Sequence, residues 1–179
     1  ADPGLKNNYA IYSACHNNHL EIVKMLLKDK RVDPSICNNV IFQNACTNSN
    51  FEMVKLLLQD DRIDPSDLNN KAFENACYYS NIDIVKLLLD DSNVIPNNKA
   101  FQNACDQGHF DIVELLLKDD RIDPSDKSNI AIRIAALHGH IKCVELLLKD
   151  KRVDPSICNN VIFQNACTNS HIDIIKLLK

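Results

Sequence analysis

The chain has 179 residues, 45% of them hydrophobic, with a formal net charge of −4 and only three glycines. That is enough apolar material for one core, while evenly spread Lys and Arg leave no basic stripe for nucleic acid. Gly4, Gly108 and Gly139 stand too far apart to build a phosphate-cradling or dinucleotide-binding loop.

Proline punctuates the chain at near-regular intervals. Pro3, Pro34, Pro65, Pro96, Pro124 and Pro155 are separated by 31, 31, 31, 28 and 31 residues, the mark of an internal repeat. Repeats begin near Asp2, Asp33, Asp64, Ile95, Asp123 and Asp154, and together make a single domain over 1–179. Each is expected to hold a connector turn, a first helix of about two turns, a short break and a second helix. In the connector, proline presets φ, and Asp and Ser bond nearby amides.

In chain order, the first repeat places Asn18 and Glu21 where a helix cap and its reciprocal acid belong. The second repeats that capping box with Ser49 and Glu52, followed by Val54, Leu57 and Leu58 at helical spacing. The third, from Asp64, is the most regular: Ala72, Phe73, Ala76 and Cys77 line its first helix, and Ser80 and Asp83 form the capping pair. Tyr78-Tyr79 stands between its helices. The fourth lacks three residues after Pro96, which predicts a stunted connector. The fifth has Gly139 and Lys142 in the capping slots, a departure from the pattern. The sixth, with Ser170 and Asp173, stops at Lys179, and residues 147–170 duplicate residues 26–49. One such helix pair cannot bury both faces alone, so the repeats are expected to stack into an all-α solenoid of helix-turn-helix units with short connecting turns. The first and last repeats lack clear polar caps, which fits an excised segment or weak end-to-end self-association.

The residues of the fifth repeat reach a known pattern. Ile130-Ala131-Ile132-Arg133-Ile134-Ala135-Ala136-Leu137-His138-Gly139-His140, followed by Val144-Glu145-Leu146-Leu147-Leu148, resembles the ankyrin repeat's T-P-L-H-x-A-A-x-x-G-H and Leu run. The resemblance covers the whole chain, although T-P-L-H itself is absent and the period is 31 rather than the usual 33. The missing residues fall where the family's hairpin finger sits.

The resemblance implies a non-catalytic scaffold that binds another protein through a concave face. That face would comprise the two variable positions after the Ala-Ala slot and the finger tips. The first set holds His16 and Asn17, Thr47 and Asn48, Tyr78 and Tyr79, Asp106 and Gln107, Leu137 and His138, and Thr168 and Asn169. The second holds Ile36 and Cys37, Asp67 and Leu68, Asp126 and Lys127, and Ile157 and Cys158. These columns vary on a nearly constant frame, which independently favours binding. Tyr78-Tyr79 beside the stunted fourth connector reads either as the centre of a partner site or as solvated surface.

No cofactor and no metal are expected. Cys15, Cys46, Cys77, Cys105 and Cys167 share one column, where Cys serves as a small buried hydrophobe. Neighbours within that column, ~10 Å apart, are too distant for disulfides, and no CxxC marks a zinc site. Unpaired cysteines fit a reducing, cytoplasmic setting, and no signal peptide opens the chain. Cys37 and Cys158 in turns leave open a redox- or metal-responsive role; another alternative is a binding segment of a larger enzyme or adaptor. His19, His109, His140 and His171 precede second helices as structural hydrogen-bonders, as the resemblance implies. Asn44, Asn75, Asn103 and Asn165, unfavourable inside a helix, are expected to bond the connectors of adjacent repeats. No nucleophile–base–orienter set emerges for catalysis, and neither nucleic acid nor membrane is an expected partner.

Overall fold

A computed structural model describes residues 5–154, 156 and 161–178, with no account of the Leu5, Lys6, Asn7 and Cys37 side chains. Among them are twelve helices and no strand. Their contacts cluster in two parts, Ala1–Ile95 and Pro96–Lys179, and the boundary falls in the short fourth connector.

The N-terminal half holds three helix pairs: α1 (Leu5–His16) with α2 (Leu20–Leu27), α3 (Ile36–Thr47) with α4 (Phe51–Leu57), and α5 (Asp67–Tyr78) with α6 (Ile82–Leu89). First helices pack side by side, α1 on α3 on α5, and second helices stack behind them, α2 on α4 on α6. Ile41, Phe42, Met53, Val54, Leu57, Phe73, Ile84 and Leu88 are all but fully buried between the layers. Burying one such side chain contributes about 1.5–3 kcal/mol. The Ala45-Cys46 and Ala76-Cys77 pairs are also buried, because small side chains let neighbouring helices close up.

The C-terminal half repeats the plan with α7 (Asn98–Gln107), α8 (Phe110–Leu117), α9 (Asp126–Leu137), α10 (Ile141–Lys149), α11 (Val161–Thr168) and α12 (Ile172–Leu177). Here α7, α9 and α11 form one layer and α8, α10 and α12 the other. Phe101, Ile112, Leu116, Ile132 and Leu147 fill the space between.

The break within each pair corrects the expected capping box. Asn18, Ser49, Ser80 and Ser170 are not N-caps; each has φ between 56° and 63°, the left-handed position that ends the first helix. Gly108 and Gly139 take the same place. The amide after each reaches back five residues, as in Asn50 to the Ala45 carbonyl at 3.0 Å and His140 to Ala135 at 2.9 Å, the Schellman closure. The true N-caps are His19, Asn50, Asn81, His109, His140 and His171, and none bonds its helix through its side chain. The chain must reverse within so few residues that a right-handed cap residue has no room.

The connectors explain the shortened period. Leu68, Asn69 and Asn70 all lie in the left-handed region (φ 50°, 59° and 64°), as do Lys127, Ser128 and Asn129 (φ 49°, 57° and 59°). Asn38 and Asn39 follow suit. A single left-handed turn thus stands where the family's hairpin finger sits, and the right-handed helix begins after it. Asn visits this region more readily than other residues with a Cβ. The buried Asn at the end of the turn also bonds the next connector: Asn8 Oδ1 accepts from the Asp33 amide at 2.8 Å, Asn39 from Asp64 at 3.4 Å, and Asn70 from Ile95 at 3.0 Å. Asn98 does the same for Asp123 at 2.9 Å. The amide ladder therefore sits in this column, not in the one expected. Asn75 instead donates to Thr47 Oγ1 and Asn165 to the Arg133 carbonyl, both on the preceding first helix. In the short fourth connector Asn97 is extended (φ −127°, ψ 157°) and caps α7 directly, accepting from the Ala100 amide at 2.8 Å.

Candidate functional site

The ends of the first helices carry one set of candidate residues. In the N-terminal half Thr47 is half-buried: its hydroxyl donates to the Gln43 carbonyl at 2.9 Å and accepts from Asn75 at 3.1 Å. Asn48 is exposed. Tyr78 and Tyr79, at the end of α5, are 38% and 53% exposed, with ring centroids 5.0 Å apart and planes at 75°. That edge-to-face geometry is a favourable aromatic arrangement, so the pair presents one exposed aromatic ledge.

In the C-terminal half the same positions form a polar cluster. Gln107 Nε2 donates to Asp106 Oδ2 at 2.7 Å, and His138 Nδ1 lies 3.4 Å from Asp106 Oδ1. The Asp106 carbonyl takes hydrogen bonds from His138 Nδ1 at 3.2 Å and His140 Nε2 at 2.8 Å. Leu137 is exposed beside them. His140 and His171, whose Nε2 donates to the Leu137 carbonyl at 2.9 Å, are structural, and Asn81 does the same work toward the Cys46 carbonyl.

The connector candidates divide. Leu68 (52% exposed) and Lys127 project from the left-handed turns. Asp67 and Asp126 are half-buried and tie repeats together: Asn39 donates to Asp67 at 2.8 Å and Gln102 to Asp126 at 3.1 Å. Ile157 and Cys158, and the side chain of Cys37, lie outside the described residues.

The array is thus read from stacked helix pairs, Ala-Cys or Ala-Ala slots and Gly-His turns. The profile of ankyrin repeats, three copies long, matches residues 11–100 and again 73–159. The chain belongs to the ankyrin-repeat family. A comparison with curated proteins found no match. Ankyrin repeats are generally protein–protein interaction modules and are typically non-catalytic.

Within this ankyrin array the described cysteines are chiefly packing residues. Cys15, Cys46, Cys77, Cys105 and Cys143 are buried. Burial pushes the Cys15 thiol up to about 12 and the Cys143 thiol up to about 11. Cys167, in the same column, is exposed, which corrects the expectation that the whole column is buried. Among the described residues, no three His, Cys, Asp or Glu side chains gather to hold a metal ion, and no helix is long and apolar enough to cross a membrane.

One recurring device is not evident from the repeat pattern alone: an Asp-x-Arg clamp after the second helix. Arg31, Arg62, Arg121 and Arg152 each grip the Asp two residues earlier through two side-chain bonds of 2.6–3.0 Å. The Arg side-chain bond holds Asp60, Asp119 and Asp150 below the usual carboxylate range, and Asp29 at about 2. Its signal in the sequence is Asp-x-Arg at four of five connectors, interrupted by Asn93.

Proposed function

We propose that this ankyrin array is a non-catalytic scaffold that binds another protein through the exposed first-helix ends and adjoining connectors. Tyr78 and Tyr79 anchor the partner in the N-terminal half, flanked by Thr47, Asn48 and Leu68. The equivalent surface of the C-terminal half consists of Asp106, Gln107, Leu137 and His138, with Lys127 at the connector. Asp67 and Asp126 support these connectors from beneath. The reading rests chiefly on the exposed, edge-to-face tyrosine pair held on a rigid helix end. Tyr brings large area at low conformational cost and is enriched among residues that dominate binding energy.

The test begins with a partner captured by the intact chain and identified by mass spectrometry. Its affinity for the purified protein is then measured by calorimetry. Replacing Tyr78 and Tyr79 together with Ala should weaken binding by about 30-fold or more, the scale of a hot-spot loss. Unchanged affinity in a folded double variant rejects the anchor.

A further inference from the structure

The Asp-x-Arg clamp does more than close on itself. Arg62 Nη1 donates to the Val32 carbonyl at 2.6 Å and its Nη2 to Leu27 at 3.1 Å, in the preceding repeat. Arg152 makes the same two bonds, to Ile122 and Leu117, both at 3.0 Å. The charge of Asp33 supports the Arg62 guanidinium, and Asp120 and Asp123 support that of Arg152. Each guanidinium is therefore a staple between one repeat's connector and the carbonyls behind it, its charge favoured by nearby carboxylates.

Between the second and third repeats the staple is missing. Asp91 keeps its place, accepting from the Asn93 amide at 2.9 Å, but Asn93 stands where the array elsewhere has Arg. Its short amide makes no bond to Leu58 or Ile63, the counterparts of Leu27 and Val32, among the described contacts. In its place lies an open pocket of about 520 Å³ lined by Asp61, Ile63, Asp64, Ser66, Asn93 and Ile95. Asp61 and Asp64 correspond to Asp120 and Asp123, the carboxylates whose charge favours that of Arg152. Ile95, 60% exposed, replaces the connector Asp of the other repeats and gives the rim an apolar edge.

We propose that this pocket is a receptor slot for the arginine side chain of a partner polypeptide. The same chain shows twice, at Arg62 and Arg152, which group fills the equivalent space and how its nitrogens are received. The planar fork meets carbonyls and carboxylates together, which an ammonium cannot reproduce. The aliphatic stem would lie along Ile95. That the arginine comes from a protein rests on the interaction-module reading; the slot itself does not, and is tested with a small probe.

The full-length chain is titrated with N-acetyl-arginine amide and followed by amide NMR shifts, with the lysine and citrulline analogues in parallel. Saturable shifts should be confined to residues 61–66 and 92–95, with lysine and citrulline at least about tenfold weaker, as expected for a forked, charged site. Asn93→Arg should supply the missing guanidinium from within, raising Tm and abolishing the arginine response. Asp61→Asn, at an exposed position, should keep the fold and weaken the response several-fold. Equal response to lysine, which would mark a plain acidic patch, overturns the proposal. So does an absence of saturable shifts, or an Asn93→Arg variant that still titrates or is less stable than the parent. None of these outcomes depends on Tyr78 or Tyr79.

Discussion

Cys46 and Cys167 lie in identical stretches, residues 26–49 and 147–170, yet one is buried and the other exposed. Cys46 is covered because α3 is packed by first helices on both sides, α1 and α5. The first-helix neighbour of α11 is α9, and no further pair follows among the described residues. Since the thiolate is the reactive species, burial both shields the Cys46 sulfur and pushes its ionisation upward. Maleimide at mildly alkaline pH should modify Cys167 rapidly and leave Cys46, Cys77 and Cys105 unmodified until urea is added. Peptide mass spectrometry distinguishes the sites, and equal native rates at Cys46 and Cys167 contradict this packing. At the same scale, Arg62→Ala removes an ion pair and two bonds across repeats. It should cost about 1–2 kcal/mol of stability by urea denaturation, since bonds from charged groups exceed neutral ones but this guanidinium is part-exposed.

Elements in this array are set by left-handed residues at both ends of the first helix. Asn39 is counted within α3, yet its φ of 56° places it in the left-handed turn, where it accepts from the Asp64 amide and donates to Asp67. In an ordinary helix interior Gly is less favourable than Ala by about 1 kcal/mol. Here the order should invert. Asn39→Ala loses the bonds and also adopts a conformation that costs a Cβ-bearing residue about 1–2 kcal/mol, whereas Asn39→Gly loses the bonds alone. Thermal melts of the two variants decide it: Asn39→Gly should be the more stable, and the reverse order would place this residue in a regular helix. Gly108 meets a second constraint of this kind, because a Cβ there would run into the His140 ring at a φ of 72°. That ring is fixed by its bond to the Asp106 carbonyl.

Across the whole molecule the clamps add an acid-sensitive contribution to stability. Asp29, Asp60, Asp119 and Asp150 are held low by their Arg partners, and Asp123 and Asp154 by the connector serines. A carboxylate whose folded pKa lies below its unfolded value of about 3.9 stabilises fully above that value, and its contribution is lost as pH falls through the folded pKa. The urea midpoint should therefore be unaffected by these groups between pH 5 and 7 and fall steadily from about pH 4 toward 2. A midpoint unchanged down to pH 3 would show that the clamps do not stabilise the fold.

The sequence by itself determined the period, the paired helices, the small-residue column and the family, because each is written in short-range spacing and repeated down the chain. The variable first-helix ends were legible for the same reason, as contrast within one array. Other features depended on what lies 25 to 35 residues away along the chain and alongside in space. The left-handed turn is fixed by an Asn that must meet the next connector's amide, whereas local propensity pointed to a capping box and the family resemblance to a finger. The Asp-x-Arg motif reads as a solvated ion pair until the guanidinium is seen on carbonyls of the previous repeat. Only the tertiary structure could show that Asn93 stands at a pocket lined by Ile63 together with Asp61 and Asp64. A substitution reads as a missing staple only once the partners it fails to reach have been brought alongside.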